Sequence, residues 1–340
     1  MSSSNATLAE INALNYGNSI FYQIWTYLLL CLGTIGHSLN IYVFTRPTLR
    51  SNPCTRYFLA ATITGIYIIL TSCLWRYLQI TYPAYNPFGY STASCKILSF
   101  MALTSKVYTS WYIAVASIDR FLCSSSSATV RAWSNHRVTY RVIIIVFIIV
   151  SIFYLYVPII YQNINTGTKC PAAQTTFPLF SGIWNLLVFS LGPSTVMLIF
   201  GLFTIRNVQR SGRRLVPLNN QTELTTSQQE QLKRQKMADR QLLKMMLVQC
   251  AYFILSTTPL TVLYIYTALR INIVTDALQH AKDALFTNIA GGLGILSGCT
   301  SFYVFTLSSK LFRRELMQLF KCRWRPNQTI TTSTGPIQRN

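Results

Sequence analysis

Apolar runs about 20 residues long alternate along this chain with shorter polar segments rich in arginine and lysine. Seven such runs can be traced: Tyr22 to Phe44, Tyr57 to Ile80, Ile97 to Phe121, Val142 to Tyr161, Phe177 to Ile205, Met245 to Leu269 and Ala284 to Ser309. At a rise of about 1.5 Å per residue, each can cross a hydrocarbon layer of about 30 Å. Backbone groups in lipid must be paired within the segment itself, so these runs are expected to be helices. Membrane-spanning strands would read as alternating segments of about ten residues, a pattern this chain lacks. The expected fold class is an all-α membrane protein, a seven-transmembrane helix bundle. The divisions that follow are an N-terminal segment over 1–21, the membrane domain over 22–309, an amphipathic surface helix over 310–321 and a disordered tail over 322–340.

Composition agrees with this pattern. Of 340 residues 51% are apolar and only 11% charged, against about 25% charged in an ordinary soluble domain. The 29 basic and 8 acidic residues leave a net charge of +21. That balance would suit a nucleic-acid binder if the cations formed a patch among aromatics, but they lie between the apolar runs. Three follow the first run, four run from Arg120 to Arg141 inclusive, nine separate the fifth and sixth runs, and seven follow the last. By the positive-inside rule those segments are cytoplasmic, so the N-terminus is expected outside and the C-terminus inside a plasma-membrane protein. Met1 to Ser19 lacks the basic start and apolar stretch of a cleavable signal.

Several side chains carry candidate chemistry on this topology. Asn5-Ala6-Thr7 is the one outer glycosylation sequon, which makes Asn5 the candidate acceptor. Nine cysteines cannot all pair within one chain. Cys95 and Cys170 fall on the oxidising outer side, where a disulfide can form. Cys322 follows the basic amphipathic run Lys310-Leu311-Phe312-Arg313-Arg314-Glu315-Leu316 and is a lipidation candidate. At the other end of the third run stands Ser117-Ile118-Asp119-Arg120-Phe121. An acid and a base at the membrane boundary are costly to bury and mark a functional position.

With seven spans, an outer N-terminus and Cys95 placed 24 residues before Asp119, the chain resembles the rhodopsin-like family of G-protein-coupled receptors. The resemblance covers about Tyr22 to Phe320. Cys95 and Asp119-Arg120-Phe121 match the family's third-span cysteine and Asp/Glu-Arg-Tyr motif, with phenylalanine replacing tyrosine. Pro193 and Pro259 match the fifth- and sixth-span prolines and imply helix hinges. Ser301-Phe302-Tyr303-Val304-Phe305 stands where the family has Asn-Pro-x-x-Tyr. The resemblance implies that Asp119, Arg120 and Phe121 form the coupling switch for a heterotrimeric G protein, and that Asp239 pairs with Arg120 at rest. It also implies that the Ser/Thr-rich tail and third inner loop, once phosphorylated, recruit arrestin. Departures are many: His37 replaces the first-span asparagine, Gly65 the second-span aspartate, and Gly201 the fifth-span tyrosine. These losses remove the polar cluster that binds sodium in the family, so no metal site and no cofactor is expected.

The ligand is constrained by what the spans lack. No lysine occurs from Ala284 to Ser309, which excludes a retinal Schiff base, and Ala102 occupies the position of the aspartate found in amine receptors. Arg76 and Lys106 are cations within spans, so snorkelling to the surface competes with service as counter-charges for a ligand carboxylate. With Ala102 and Thr257 they make up the candidate ligand pocket. Leu39-Asn40-Ile41-Tyr42-Val43-Phe44 and Ser301-Phe302 are similar to invertebrate FMRFamide-type peptide receptors, so a peptide ligand is expected. Three histidines without metal spacing and no phosphate-binding loop leave an enzyme without parts. A seven-helix transporter of an anionic solute and a receptor that no longer couples are the alternatives. No paired broken helices of the transporter type are visible in the sequence.

Overall fold

The computed structural model describes residues 2–82, 90–161, 177–214, 226–270 and 273–322. Its first span is one helix, Ser2–Phe44. The second runs through Pro53–Ile68, a π-helical stretch Ile69–Leu74 and Trp75–Thr81. Thr92–Ser124 is the third, and His136–Phe153 with the short Tyr156–Ile160 the fourth. The fifth comprises Phe177–Asn185, a second π-helical stretch Leu186–Leu191, and Gly192–Arg214. Thr226–Leu269 is the sixth. Ala277–Cys299 and Ser301–Ser308 make the seventh, followed by Lys310–Cys322. The fold is the all-α bundle that the hydrophobic pattern indicates.

Spans one, two, three, five, six and seven close a ring in which each packs on the next, seven returning to one, and the fourth leans on the outside of two and three. The third span occupies the centre, touching spans two, four, five, six and seven. Among the described helices five are long and apolar enough by themselves to cross a membrane, and the bent seventh makes a sixth. The third fails that composition test although it is 33 residues long. Its buried face carries Ser99, Thr104, Ser105, Thr109, Ser110, Ser117, Asp119 and Arg120, polar groups that other helices shield from lipid.

Irregular turns have local causes. The wide turn Leu186–Leu191 ends just before Pro193, whose missing N–H and bulky ring disrupt a regular α-turn. The seventh span bends by 53° at Thr300 without any proline. Thr300 leaves helical geometry, with φ −113° and ψ 16°, and its hydroxyl donates to the Leu296 carbonyl at 2.7 Å. Among the described residues these irregularities are the π-helical stretches of the second and fifth spans and the break in the seventh. The first helix also begins some 20 residues earlier than its apolar run. No proline interrupts it before Pro47, and adding turns to an existing helix costs far less than nucleating one. Lys282 to Glu10 at 3.3 Å and Asn288 to Asn18 at 2.9 Å fasten this extension to the seventh span.

At the opposite end, Phe44, Phe58, Phe302, Phe305 and Phe312 form a buried aromatic cluster. Phe44 meets Phe305 and Phe312 edge-on at 5.6 Å, and Phe58 meets Phe305 at 5.3 Å. Each such pair contributes about 0.5–1.5 kcal/mol beyond its buried area. Phe312 thereby seats the Lys310–Cys322 helix against the first and seventh spans.

Candidate functional site

The polar cluster at the third span's C-terminal end is built by three segments. Asp119 and Arg120 are 4% and 3% exposed, and the Arg120 Nη2 donates to Asp119 Oδ2 at 3.1 Å. The same nitrogen donates to Asn52 Oδ1 at 2.7 Å. Asn52 is the N-cap of the second span, and its Oδ1 also accepts from the Cys54 backbone N–H at 3.1 Å. A carbonyl oxygen has two lone pairs, so one side-chain oxygen both starts a helix and holds a guanidinium. On the other side Ser134 donates to Asp119 Oδ1 at 2.7 Å. Cys123 Sγ lies 3.7 Å from Arg120 Nη2 and donates to Ser134 Oγ at 3.0 Å. Asp119 and Arg120 thus reach the segments that lead into the second and fourth spans. Removing one partner of so deeply buried a pair costs about 3–5 kcal/mol.

Phe121 does not join the cluster. Its ring turns to the fifth span, edge-on to Phe200 at 5.5 Å and tilted against Phe203 at 5.9 Å, an apolar contact that uses no hydroxyl. Asp239 stands on the sixth helix, but its side chain lies outside the described residues. Pro193 is buried in the fifth span, and Pro259 lies inside the unbroken sixth helix.

Among the described residues, the candidate ligand positions Lys106, Ala102 and Thr257 are not gathered around one chamber. Lys106 lines a small cavity with Thr109, Ser110, Phe189, Phe253 and Ser297 among others. Its Nζ sits 5.4 Å from the centre of the Phe189 ring, so the amine turns into the bundle rather than snorkelling to an end. The cavity has about 10 Å³ of free volume, room for one water at most. Ala102 and Thr257 are not part of its wall. Thr257 is buried and donates to the Phe253 carbonyl at 2.8 Å. The Arg76 side chain lies outside the described residues.

Beside this cavity, His37 of the first span fills the place of a side chain at Gly65. A Cβ at position 65 would overlap its ring, so the histidine and the glycine are complementary in volume. The ring faces the Gly298 backbone, and by hydrogen-bond geometry neither nitrogen has a partner among the described residues. One turn further on, the buried Asn40 Nδ2 donates to Ser301 Oγ at 3.2 Å. Asn52, Ser134, Asn40 and Gln249, whose Nε2 donates to the Ser297 carbonyl at 3.3 Å, are the site residues that sequence reading passed over. Asn52 alone left a signal, as the residue before Pro53 at a helix start.

Cys95 is buried and disulfide-bonded. Cys170 lies outside the described residues, as do the side chains of Asn5 and Cys322. Among the described residues no group of three or more His, Cys, Asp or Glu is arranged to hold a metal.

A helical bundle with its most polar helix at the centre, and a buried acid and arginine at one end of that helix, defines a class of seven-helix membrane receptor. The sequence profile described as 7 transmembrane receptor (rhodopsin family) matches residues 38–300, and the chain belongs to that family. It is a multi-pass plasma-membrane receptor and not an enzyme. Its partners are those of the family in general, an extracellular ligand and a G protein.

Proposed function

We propose that this receptor binds a peptide from the outside and activates a heterotrimeric G protein through Arg120. The observation that carries the reading is the double hold on Arg120 by Asp119 and Asn52, at 3.1 and 2.7 Å. Held in this way the guanidinium is withdrawn; released from Asn52, it would face a partner entering between the spans. The bundle then has two states. An agonist needs a differential affinity of about 5.5 kcal/mol to move such an equilibrium from 1:99 to 99:1. Asp239 is proposed as a further resting partner of Arg120, from the sixth span. With the Arg120 end facing the cytoplasm, Cys95 would pair with Cys170 outside, Asn5 would be glycosylated, Cys322 would be acylated and arrestin would be met at the inner face.

Lys106 supports an anionic ligand group only in a more open state, since the present cavity admits no side chain. The test is G-protein activation in cells expressing the intact chain and Arg120→Ala at matched surface levels, screened with peptide mixtures. Activation by the intact chain and silence of the variant support the reading. Equal responses from both would overturn the role of Arg120. A chain silent to every peptide, but with anion flux abolished by Lys106→Gln, would replace receptor function with transport.

A further inference from the structure

Two cysteines outside the site described above sit where two irregular helices meet. The π-helical stretch Ile69–Leu74 of the second span accommodates an extra residue in its wide turn, and Cys73 within it is 1% exposed. Cys299 is the last helical residue before the bend of the seventh span at Thr300, and it is fully buried. Both are free thiols, and their side chains are hydrogen-bonded to each other across the two spans. With Leu29, Ile68 and Ile69 they form a buried cluster separate from the main core. The first span closes over it: a Cβ on Gly33 would overlap the Ile69 side chain and meet the Cys299 carbonyl at 3.5 Å.

The surroundings decide which chemistry the pair can do. Leu29, Ile68 and Ile69 offer no acid or base, and among the described residues no third His, Cys, Asp or Glu completes a metal site. Thiols in contact stand one covalent step from a cystine, whose Cβ atoms lie about 3.5–4.5 Å apart. A lone interior thiol is inert because nothing reaches it; here, once one sulfur is oxidised, the second is already in place. Most intracellular cysteines stay reduced because glutathione and thioredoxin reach them. Buried within a membrane-spanning bundle, Cys73 and Cys299 are closed to such large polar reductants, whereas a small uncharged peroxide crosses the bilayer.

We propose that Cys73 and Cys299 are a peroxide-sensitive modification site, at which a cystine ties the second span to the seventh beside its bend. One thiol sulfur attacks hydrogen peroxide, the O–O bond breaks, and a sulfenic acid and one water result. The other sulfur then attacks the sulfenic sulfur; the S–S bond forms, the S–O bond breaks, and the hydroxyl leaves as water with the second thiol's proton. Two electrons pass from the thiols to the peroxide, which ends as two waters.

The test uses full-length receptor in phosphatidylcholine nanodiscs, treated with hydrogen peroxide, denatured in N-ethylmaleimide and digested. Mass spectrometry should find the Cys73 and Cys299 peptides joined, with two hydrogens lost and no maleimide on either sulfur. The thermal midpoint of the treated receptor should rise, and glutathione added to the folded receptor should leave the bond intact. Cys31→Ala, which removes a partly exposed thiol, should keep the link and the rise, whereas Cys73→Ala and Cys299→Ala should each abolish both. The intact receptor decides the matter even if those two variants fold poorly. Cys73 and Cys299 that stay maleimide-reactive after peroxide, or that gain oxygen separately as sulfinic acids, overturn the proposal. A link from either one to Cys31 overturns the pairing, and release by glutathione overturns the seclusion on which it rests.

Discussion

The third and fourth spans lie side by side and are built on opposite plans. The fourth is almost wholly apolar, yet Ile144, Ile145, Phe147, Ile148, Ile149, Ile152 and Phe153 are all more than 40% exposed. Its buried positions are few, among them Thr139, Val150 and Tyr154. The third carries four charged residues, of which Asp119 and Arg120 are buried, and a row of buried hydroxyls. In a membrane the solvent is hydrocarbon, so hydrophobicity reports contact with lipid and not depth in the fold. The helix least able to sit in lipid is the one the others surround, and it carries the pair proposed as the coupling switch.

That contrast can be broken most severely at Ala114, which is fully buried in the third span. Ala114→Leu forces three extra carbons into a packed interface and should cost about 1–3 kcal/mol, read as a fall in the thermal midpoint of purified receptor. Ile148→Ala in the fourth span should change the midpoint little, because its side chain exchanges protein contacts for none. Comparable losses at the two sites would show that the fourth span is packed against something other than lipid.

A second, smaller effect concerns the cap. Asn52→Ala removes the acceptor shared by Cys54 N–H and Arg120, costing about 1 kcal/mol in helix capping and loosening the arginine. Ser134→Ala leaves the Arg120 acceptors in place and removes the hydroxyl that donates to Asp119 and accepts from Cys123 Sγ, the first a neutral-to-charged hydrogen bond of about 1.5–3 kcal/mol at most. It should raise basal signalling less than Asn52→Ala does, in the same G-protein assay. The smallest expected effect is that of sodium. With Gly65 in place of an acid and His37 filling its space, replacing sodium by choline should leave agonist potency unchanged; a shift would reveal a cation site in the bundle.

Much of this was legible from residue order alone. Seven apolar runs give seven spans because lipid imposes the same length on each, and Asp119-Arg120 stands out because charge at that place is costly. What escaped reading depends on contacts distant in sequence. Asn52 and Ser134 are ordinary loop residues until folding brings them 68 and 15 positions across to Arg120 and Asp119. The bend at Thr300 is hidden because threonine, unlike proline, has no fixed backbone demand. The pairing of His37 with Gly65 is a volume exchange between two helices, which neither residue signals by itself. The early start of the first helix was missed because its polar residues match no apolar run, although they continue a helix already formed.

The central claim is that Asn52 restrains Arg120, and substitutions of Asn52 test it most directly. Asn52→Asp keeps both acceptor roles and adds a negative charge beside the guanidinium, whereas Asn52→Ala abolishes both. Basal G-protein activation should be measured for the two variants and the intact receptor at matched surface density. The account predicts activity above the intact receptor for Asn52→Ala and below it for Asn52→Asp. If both variants shift basal activity in the same direction, the effect comes from the helix cap or the fold, and the restraint on Arg120 is not where the structure places it.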